Sequence, residues 1–342
     1  MDRFSLFRLP AVVISEVMKM YHLFDIIMLS MCSKRARSLT KTFRLNRKAA
    51  TVNVIFSSSA AVRIQNEKNK SIYFYITSAP ISNNQVVNIG NSMIPMSIET
   101  KNSGCQVTFY FEDLFEGLKT VSEYFCSLFE KDVNDIDVSS SLNPNAPLIV
   151  MKWILERQER FHSVKAESET ANDEVAKFFL ENANRGDNSS FKLPTTSDFQ
   201  IDLKFEQNKL EMLDCHWFSF DNLMNINCIE LDAQESKLTN IEMNTFLKHW
   251  ISTTLKFKML VVIMEPMNID VLLSGIPFIE QFGLRAFREH EYGNGSDCIE
   301  GGLDIQRNDG VWATINTEPD TDRTDFGFIV WIDGGHDKFD EW

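Results

Sequence analysis

Three short segments contain residue types that could do chemistry, and the first is Asp325-Phe326-Gly327. This tripeptide holds magnesium in protein kinases, but no glycine-rich loop, strand lysine motif or His-Arg-Asp loop precedes it here. The sequence also lacks a Walker motif, a Gly-x-Ser-x-Gly elbow and a His-Glu-x-x-His helix, which phosphate-loop enzymes, triad hydrolases and zinc proteases need. We therefore predict that the protein is not an enzyme and has no catalytic residues.

The second segment is Cys215-His216, the closest approach to a zinc site. Zinc needs Cys or His ligands at short, paired spacings, and only Cys228 lies nearby, so we interpret the pair as a buried thiol and a packed histidine. A calcium loop starting at Asp304 would need Gly at its sixth position and Glu at its twelfth, where the sequence has Asp309 and Ile315. We predict no metal and no cofactor.

The third segment is the basic run 34–48, which contains seven positive residues and no acidic one. It could be the solvated face of a helix, a nuclear-import patch, a DNA-contacting helix or a face that matches an acidic protein. The sequence contains no recognisable helix-turn-helix or zinc module, so nucleic acid is the less favoured partner. An acidic protein is favoured, because opposite potentials steer association and exclude wrong partners.

The charge of the chain is divided unevenly. The 342 residues are 44% apolar and carry a net charge of -14, which excludes a disordered chain and argues against a general nucleic-acid binder. The first fifty residues nevertheless carry ten basic and three acidic side chains. A small positive N-terminal part is thus joined to a large acidic remainder.

The compartment follows from what the sequence does not contain. No apolar run approaches the ~20 residues of a membrane helix, and Arg8 interrupts the apolar start where a signal peptide would need a continuous core. Six cysteines without pairwise clustering are typical of reduced thiols. We predict a cytoplasmic or nuclear protein, or one found in both, with no membrane partner.

The pattern of apolar residues predicts an α+β protein. Residues 9–45 have the spacing of three short helices, with Pro10 at a first helical position and Ser33 as a cap. Residues 114–129 form a long amphipathic helix that tolerates Gly117, and helices are also expected at about 148–161 and 171–184. The alternation of period two predicts strands at 51–56, 71–77, 85–89, 106–111 and 136–138.

The region 201–264 hints at repetition. Strand-like segments at 201–205, 227–231 and 258–264 have roughly the spacing of leucine-rich repeats. A helix with the capping box Thr239-x-x-Glu242 lies between the last two, which would therefore be parallel. We describe this region as leucine-rich-repeat-like.

The C-terminal part is acidic and rich in turns. Asn308-Asp309-Gly310 lies between strand-like segments 304–307 and 311–315, which predicts a β-hairpin, and 326–332 predicts one more strand. We divide the chain into 1–48, a β-rich segment 49–147 with one long helix, a leucine-rich-repeat-like segment 148–276 and an acidic hairpin tail 277–342.

Residues 9–37 resemble an F-box. That family begins with Leu-Pro, continues with apolar helix positions and an Asp-Leu pair, and ends with Val-Cys followed by basic residues. The matching residues here are Leu9-Pro10, Val13, Ile14, Val17, Asp25-Ile26, Leu29, Met31-Cys32 and Ser33-Lys34-Arg35.

The resemblance extends along the chain. The segments 213–215, 246–251 and 304–315 follow in the order found in the F-box B proteins expanded in nematodes, which carry a type 2 F-box-associated domain. The implied fold is a three-helix F-box followed by a mixed α/β, leucine-rich-repeat-like recognition domain with C-terminal β-hairpins.

The resemblance implies a non-catalytic substrate receptor of a Skp-cullin-F-box ubiquitin ligase. The F-box would dock on a Skp-type adaptor and thereby join a cullin, and the remainder would capture an unknown target protein. Each apolar residue could equally pack inside the F-box. Two alternatives stay open: an F-box interaction scaffold without a role in degradation, and a DNA-binding regulator that uses 34–48. The expected adaptor contacts are Leu9, Pro10, Val13, Val17, Ile26 and Leu29.

Overall fold

Helices and strands alternate along the chain, as the predicted α+β class requires. The computed structural model describes residues 9–43, 50–66, 70–80, 85–90, 92–101, 104–202, 204–289, 296–316 and 325–331. Two compact units divide between Lys165 and Ala166. The α+β class is confirmed, whereas the finer division into four sequence segments stays a prediction.

Three helices open the first unit, at the positions that the sequence predicts. They are α1 (Ala11–Lys19), α2 (Leu23–Cys32) and α3 (Lys34–Phe43). Ser33 caps α3, because its Oγ accepts from the Ala36 N–H at 3.1 Å. The expected position of Pro10 is wrong by one residue: with ψ at 147° it precedes the first helical residue.

Eight strands of the first unit form one sheet in the order β4-β5-β6-β3-β2-β1-β7-β8. The pairs β1–β7 and β3–β6 are parallel, and the pairs β1–β2, β2–β3, β4–β5 and β5–β6 are antiparallel. The strands are β1 (Ala50–Phe56), β2 (Ala60–Asn66), β3 (Ser71–Thr77), β4 (Gln85–Ile89), β5 (Ser92–Lys101), β6 (Gly104–Tyr110), β7 (Val133–Ser139) and β8 (Phe161–Glu167).

Helices α4 (Leu114–Phe129) and α5 (Ala146–Arg157) pack on one face of this sheet. Phe74 of β3 lies on that face, with its ring centroid 4.6 Å from that of Phe125 in α4. Gly117 is necessary for this packing, because a Cβ there would lie 2.7 Å from both Ile76 and Phe111 side-chain atoms. The predicted weak point of the helix is therefore a point of close approach.

The second unit has a sheet of mixed direction in the order β9-β10-β11-β12-β16-β15-β14-β13. Its first four strands are parallel, and the others pair antiparallel. The strands are β9 (Gly186–Lys192), β10 (Lys209–Leu213), β11 (Glu230–Ala233), β12 (Met259–Ile263), β13 (Ile279–Glu289), β14 (Ser296–Gln306), β15 (Trp312–Asn316) and β16 (Asp325–Trp331).

The helices of the second unit include the one with the predicted capping box. Thr239 and Glu242 cap α8 reciprocally, and α8 connects the parallel strands β11 and β12, so the predicted βα unit is confirmed. The helices are α6 (Asp173–Asn182), a 3-10 turn (Ala183–Arg185), α7 (Phe220–Asn225), α8 (Asn240–Ser252) and α9 (Ile269–Leu272). Across the described ranges, no helix is both long and apolar enough to cross a membrane.

One predicted strand is wrong. In segment 201–205, where residue 203 lies outside the described residues, Phe205 forms an isolated bridge with Ile226. The regular strand forms at β10 instead, because Leu210 and Met212 alternate into the core. The hairpin around Gly310 is confirmed, and the last predicted strand appears as β16, with residue 332 outside the described residues.

Candidate functional site

The six expected adaptor contacts all keep some exposed surface in the structure. Pro10 and Val13 are exposed, and Leu9, Val17, Ile26 and Leu29 are partly buried. The core of the three helices is made by other residues. Those buried apolar residues are Ile14, Met18, Ile27, Met31 and Ala36. Each of the six residues therefore has some surface that a partner protein can reach.

Exposed apolar residues that the sequence argument missed lie on the same helix or directly after it. Val12 is 74% exposed and Met20 81% exposed. The run of three apolar residues Val12, Val13 and Ile14 did not by itself show which of them faces the core, and the structure buries Ile14 alone of the three. Val12 and Met20 thus add to the exposed apolar surface of Pro10 and Val13.

A buried polar contact joins the three helices to α4 of the same unit. The Tyr124 hydroxyl donates to Ser30 Oγ at 2.9 Å, and Ser30 Oγ donates to the Ile27 carbonyl at 2.6 Å. Burial raises the pKa of Tyr124 above its ordinary value, since the phenolate would lose its hydration. The guanidinium carbon of Arg37 lies 4.4 Å from the centre of the Tyr124 ring, which is a cation–π distance.

A second contact of α3 lies one helical turn further along. Lys41 Nζ donates to Ser127 Oγ of α4 at 2.8 Å. The basic run thus has two faces where it is described: Arg37 and Lys41 contact α4, while the two cations at the start of α3 are exposed. Residues 44–48 of the run lie outside the described residues. The face turned toward α4 has a structural role, which reduces the positive surface left for nucleic acid.

The predicted burial of the Cys215 thiol is confirmed. Its Sγ donates to the Gln234 carbonyl at 2.8 Å, and burial raises its pKa well above the ordinary range. His216 is half-buried, with Nε2 3.1 Å from the Thr196 carbonyl oxygen. Both residues take part in packing and hydrogen bonding within the second unit.

Two of the segments that resemble the F-box-associated domain contact each other at the C-terminal end of α8 in the second unit. The Asn308 N–H donates to the Ile251 carbonyl at 3.1 Å, and Arg307 Cζ lies 5.2 Å from the Trp250 ring centre. The Trp250 ring also packs edge-on against Phe328, with centroids 5.1 Å apart. These segments hold α8 against the C-terminal hairpin and therefore build the scaffold.

The sequence argument did not find a buried ion pair in the same sheet. Arg285 and Asp304 are both fully buried and form two hydrogen bonds, of 3.0 and 3.1 Å. Arg285 also donates to the Gly301 carbonyl at 2.8 Å and to Thr314 Oγ1 at 3.0 Å, and Trp331 Nε1 donates to Thr314 Oγ1 at 2.6 Å. Every carboxylate oxygen of Asp304 is thus hydrogen-bonded inside the sheet.

The glycine pair in β14 was the available signal for this site. Gly302 has φ at +113°, and a Cβ there would lie 2.5 Å from Thr314 Cγ2. A glycine within a strand indicates a close approach of another chain segment. Here that segment is β15, whose Thr314 completes the Arg285–Asp304 network.

Comparison with known proteins gives two family matches on this chain. Residues 6–48 match the F-box domain, and residues 198–259 match the F-box-associated family. An uncharacterized protein of Caenorhabditis elegans is 21% identical over 344 residues, which cover 96% of this chain and 79% of that protein. No solved structure matches the chain. The resemblance to F-box proteins with an F-box-associated domain is thus confirmed, with α1 to α3 in the first match and β10 to α8 in the second.

Proposed function

We propose that the protein is a non-catalytic substrate receptor of a Skp-cullin-F-box ubiquitin ligase. Its F-box docks on a Skp-type adaptor, which connects it to a cullin, and the remainder of the chain captures a target protein for ubiquitination by other subunits. This activity belongs in the cytoplasm, the nucleus or both. Neither step requires a metal or cofactor held by this chain.

The exposed apolar surface around α1 is the observation that carries the proposal. A short helical unit normally buries its apolar residues, yet Pro10, Val12, Val13 and Met20 are exposed. Protein interfaces obtain most of their binding energy from a few such anchors. Ile14 and Met18 are buried on the same helix. They anchor α1 in the core and are not part of the exposed surface.

The target-binding part is proposed to be leucine-rich-repeat-like. The consecutive strands β9, β10, β11 and β12 are parallel neighbours, and helices α7 and α8 lie between strands of this series. Stacked strand–helix units form extended surfaces that bind proteins.

The double variant Leu9→Ala and Pro10→Ala tests the adaptor contact. Pro10 is exposed, and Leu9 is partly buried but outside the core of the three helices, so we expect a folded protein that no longer co-purifies with a Skp-type adaptor. Ile149→Ala is the matched control, because Ile149 is an exposed apolar residue of α5 at 39% exposure, outside the F-box match. Normal adaptor binding by the double variant would overturn the proposal.

The abundance of partner proteins after depletion distinguishes a ubiquitin-ligase receptor from an F-box scaffold without a role in degradation. A ubiquitin-ligase receptor shortens the lifetime of its bound target, and this shortening requires the proteasome. We expect the abundance of co-purified partners to rise when the protein is depleted and to stay unchanged by depletion when the proteasome is inhibited. Partner abundance that changes neither on depletion of the protein nor on inhibition of the proteasome would favour the scaffold.

A further inference from the structure

A row of polar and aromatic residues crosses the face of the first sheet opposite α4 and α5. The register places Asp135 of β7 beside Asn53 of β1, Asn53 beside Arg63 of β2, and Arg63 beside Tyr73 of β3. Successive residues of a strand point to opposite faces, so this row lies behind the buried row that includes Phe74.

A cavity of about 190 Å³ opens along this row. The volume is below the ~300 Å³ at which small-molecule pockets begin, so the cavity suits one side chain better than a cofactor. Its two cationic and two anionic side chains balance in charge, which favours a neutral ligand over an ion. The polar residues that line it are Asn53, Arg63, Asp135, Asp137, Ser163 and Lys165.

One acceptor and one donor in this cavity are buried without a partner. Asn53 is 1% exposed, and its Oδ1 accepts no hydrogen bond from the described residues. Arg63 Nε is likewise buried without an acceptor among them. Leaving such a group unsatisfied costs roughly 1–3 kcal/mol, so two in one cavity indicate a ligand that supplies both complements.

The neighbouring groups are already hydrogen-bonded. Asp135 Oδ1 accepts from Ser163 Oγ at 2.8 Å and from Asn134 Nδ2 at 2.9 Å, and its Oδ2 lies 3.4 Å from Arg63 Nη2. Asn53 Nδ2 lies 3.3 Å from Thr51 Oγ1. The unmet hydrogen-bonding capacity is therefore concentrated on Asn53 Oδ1 and Arg63 Nε.

We infer that this cavity receives a side-chain carboxamide, from Asn or Gln, of the target protein. The carboxamide N–H donates to Asn53 Oδ1, and its oxygen accepts from Arg63 Nε. Tyr73 and Tyr75 stack with centroids 6.0 Å apart beside the row, and tyrosine is enriched in protein interfaces. The inference deepens the proposed function and rests on it, since it names what the receptor recognises.

A displayed library of random peptides tests the inference on the full chain. Peptides selected on the wild-type protein and counter-selected on Asn53→Leu should share Asn or Gln at one position. Replacing that residue by Glu or Met should weaken binding about tenfold or more, because the buried groups would again lose their partners. Selected peptides with a fixed acidic or basic residue in place of Asn or Gln, or a library in which no peptide survives the counter-selection on Asn53→Leu, would overturn the inference.

Two further variants guard against a folding defect. Asn53→Leu removes the unsatisfied Oδ1 and loses only the long 3.3 Å contact of Nδ2 with Thr51 Oγ1, so its melting temperature should change little. Arg63→Lys keeps the charge beside Asp135 and removes Nε, and it should lose the same peptides. Thr108→Val is the control, because Thr108 pairs with Tyr75 on the same face outside the cavity lining, and it should keep them.

Adaptor binding by the same proteins separates this inference from the proposed function. Asn53→Leu should co-purify with a Skp-type adaptor normally, while the Leu9 and Pro10 double variant should keep its carboxamide-containing peptides. If the selected peptides share no Asn or Gln while the adaptor still binds, the carboxamide site alone is rejected. Loss of adaptor binding by the wild-type protein rejects the proposed function.

Discussion

The two units of the molecule use buried polar contacts in different ways. In the first unit, neutral hydroxyls of Ser30 and Tyr124 join elements 94 residues apart, with Arg37 stacked on the ring. In the second unit, the full charges of Arg285 and Asp304 are buried within one β-ribbon. A neutral contact of the first kind contributes little on its own, whereas a buried charge becomes very costly once its partner is removed.

The largest expected effect follows from removing one charge of the second network. Asp304→Asn leaves the Arg285 guanidinium buried without a counter-charge, so the free energy of unfolding should fall by roughly 3–5 kcal/mol. Urea unfolding followed by tryptophan fluorescence measures this loss well, because five of the six tryptophans lie in the second unit and Trp153 alone lies in the first.

The double variant Arg285→Met and Asp304→Leu sharpens the same point. Replacing both partners of a buried ion pair by apolar residues is often nearly neutral, so the double variant should be more stable than Asp304→Asn. A double variant as unstable as the single one would show that Arg285 acts through its bonds to Gly301 and Thr314, which are independent of the charge pair.

The contact between Tyr124 and Ser30 in the first unit should contribute less to stability than the ion pair of the second unit. Tyr124→Phe removes the hydroxyl that donates to Ser30 and should lower the free energy of unfolding by about 1 kcal/mol. Hydrogen exchange of α2 and α3 measures the loss locally. The strands of the second unit serve as the internal reference. If the variant exchanges no faster than the wild type in α2 and α3, the contact between Tyr124 and Ser30 does not stabilise these helices.

The same tyrosine gives this contact a dependence on alkaline pH. Because burial raises the pKa of Tyr124 above its ordinary value of 10.0, its contribution is complete below pH 10 and is lost as the pH rises through the raised value. Tyr124→Phe should therefore flatten the loss of stability above pH 10. A variant with an unchanged alkaline slope would contradict this assignment.

The smallest expected effect concerns Lys41. Its hydrogen bond to Ser127 is exposed and joins a cation to a neutral hydroxyl, so Lys41→Ala should cost about 1 kcal/mol or less. Lys34→Ala is the matched control, because Lys34 is exposed at the start of the same helix. Thermal unfolding of both variants decides whether Lys41 contributes more than Lys34.

The sequence predicted the local elements better than the long-range ones. The helical spacing of α1 to α4 and the capping box of α8 are short-range signals, and the structure contains both. The strand β9 was missed because its sequence is polar and its strand character depends on pairing with β10. Helices expected to end at 161 and 184 are shorter: α5 ends at Arg157, four residues before β8 begins, and α6 gives way to the 3-10 turn that precedes β9.

The candidate sites divide in the same way. The motif that begins with Leu9-Pro10 located the F-box segment. The adaptor contacts expected from it, which include the exposed Val13 and leave out the buried Ile14, stay a prediction. The Arg285–Asp304 network and the Asn53–Arg63 cavity depend on the strand register. No pattern within a single segment carries that register, so neither site could be derived from the sequence.

The contacts of α2 and α3 with α4 also restrict which substitutions the N-terminal helices can accept. A substitution at Ser30, Arg37 or Lys41 removes a contact of Tyr124 or Ser127, which lie more than eighty residues further along the chain. Exchanging the N-terminal helices for those of a related protein would separate these residues from their partners. Replacement N-terminal helices must therefore also supply partners for Tyr124 and Ser127 of α4.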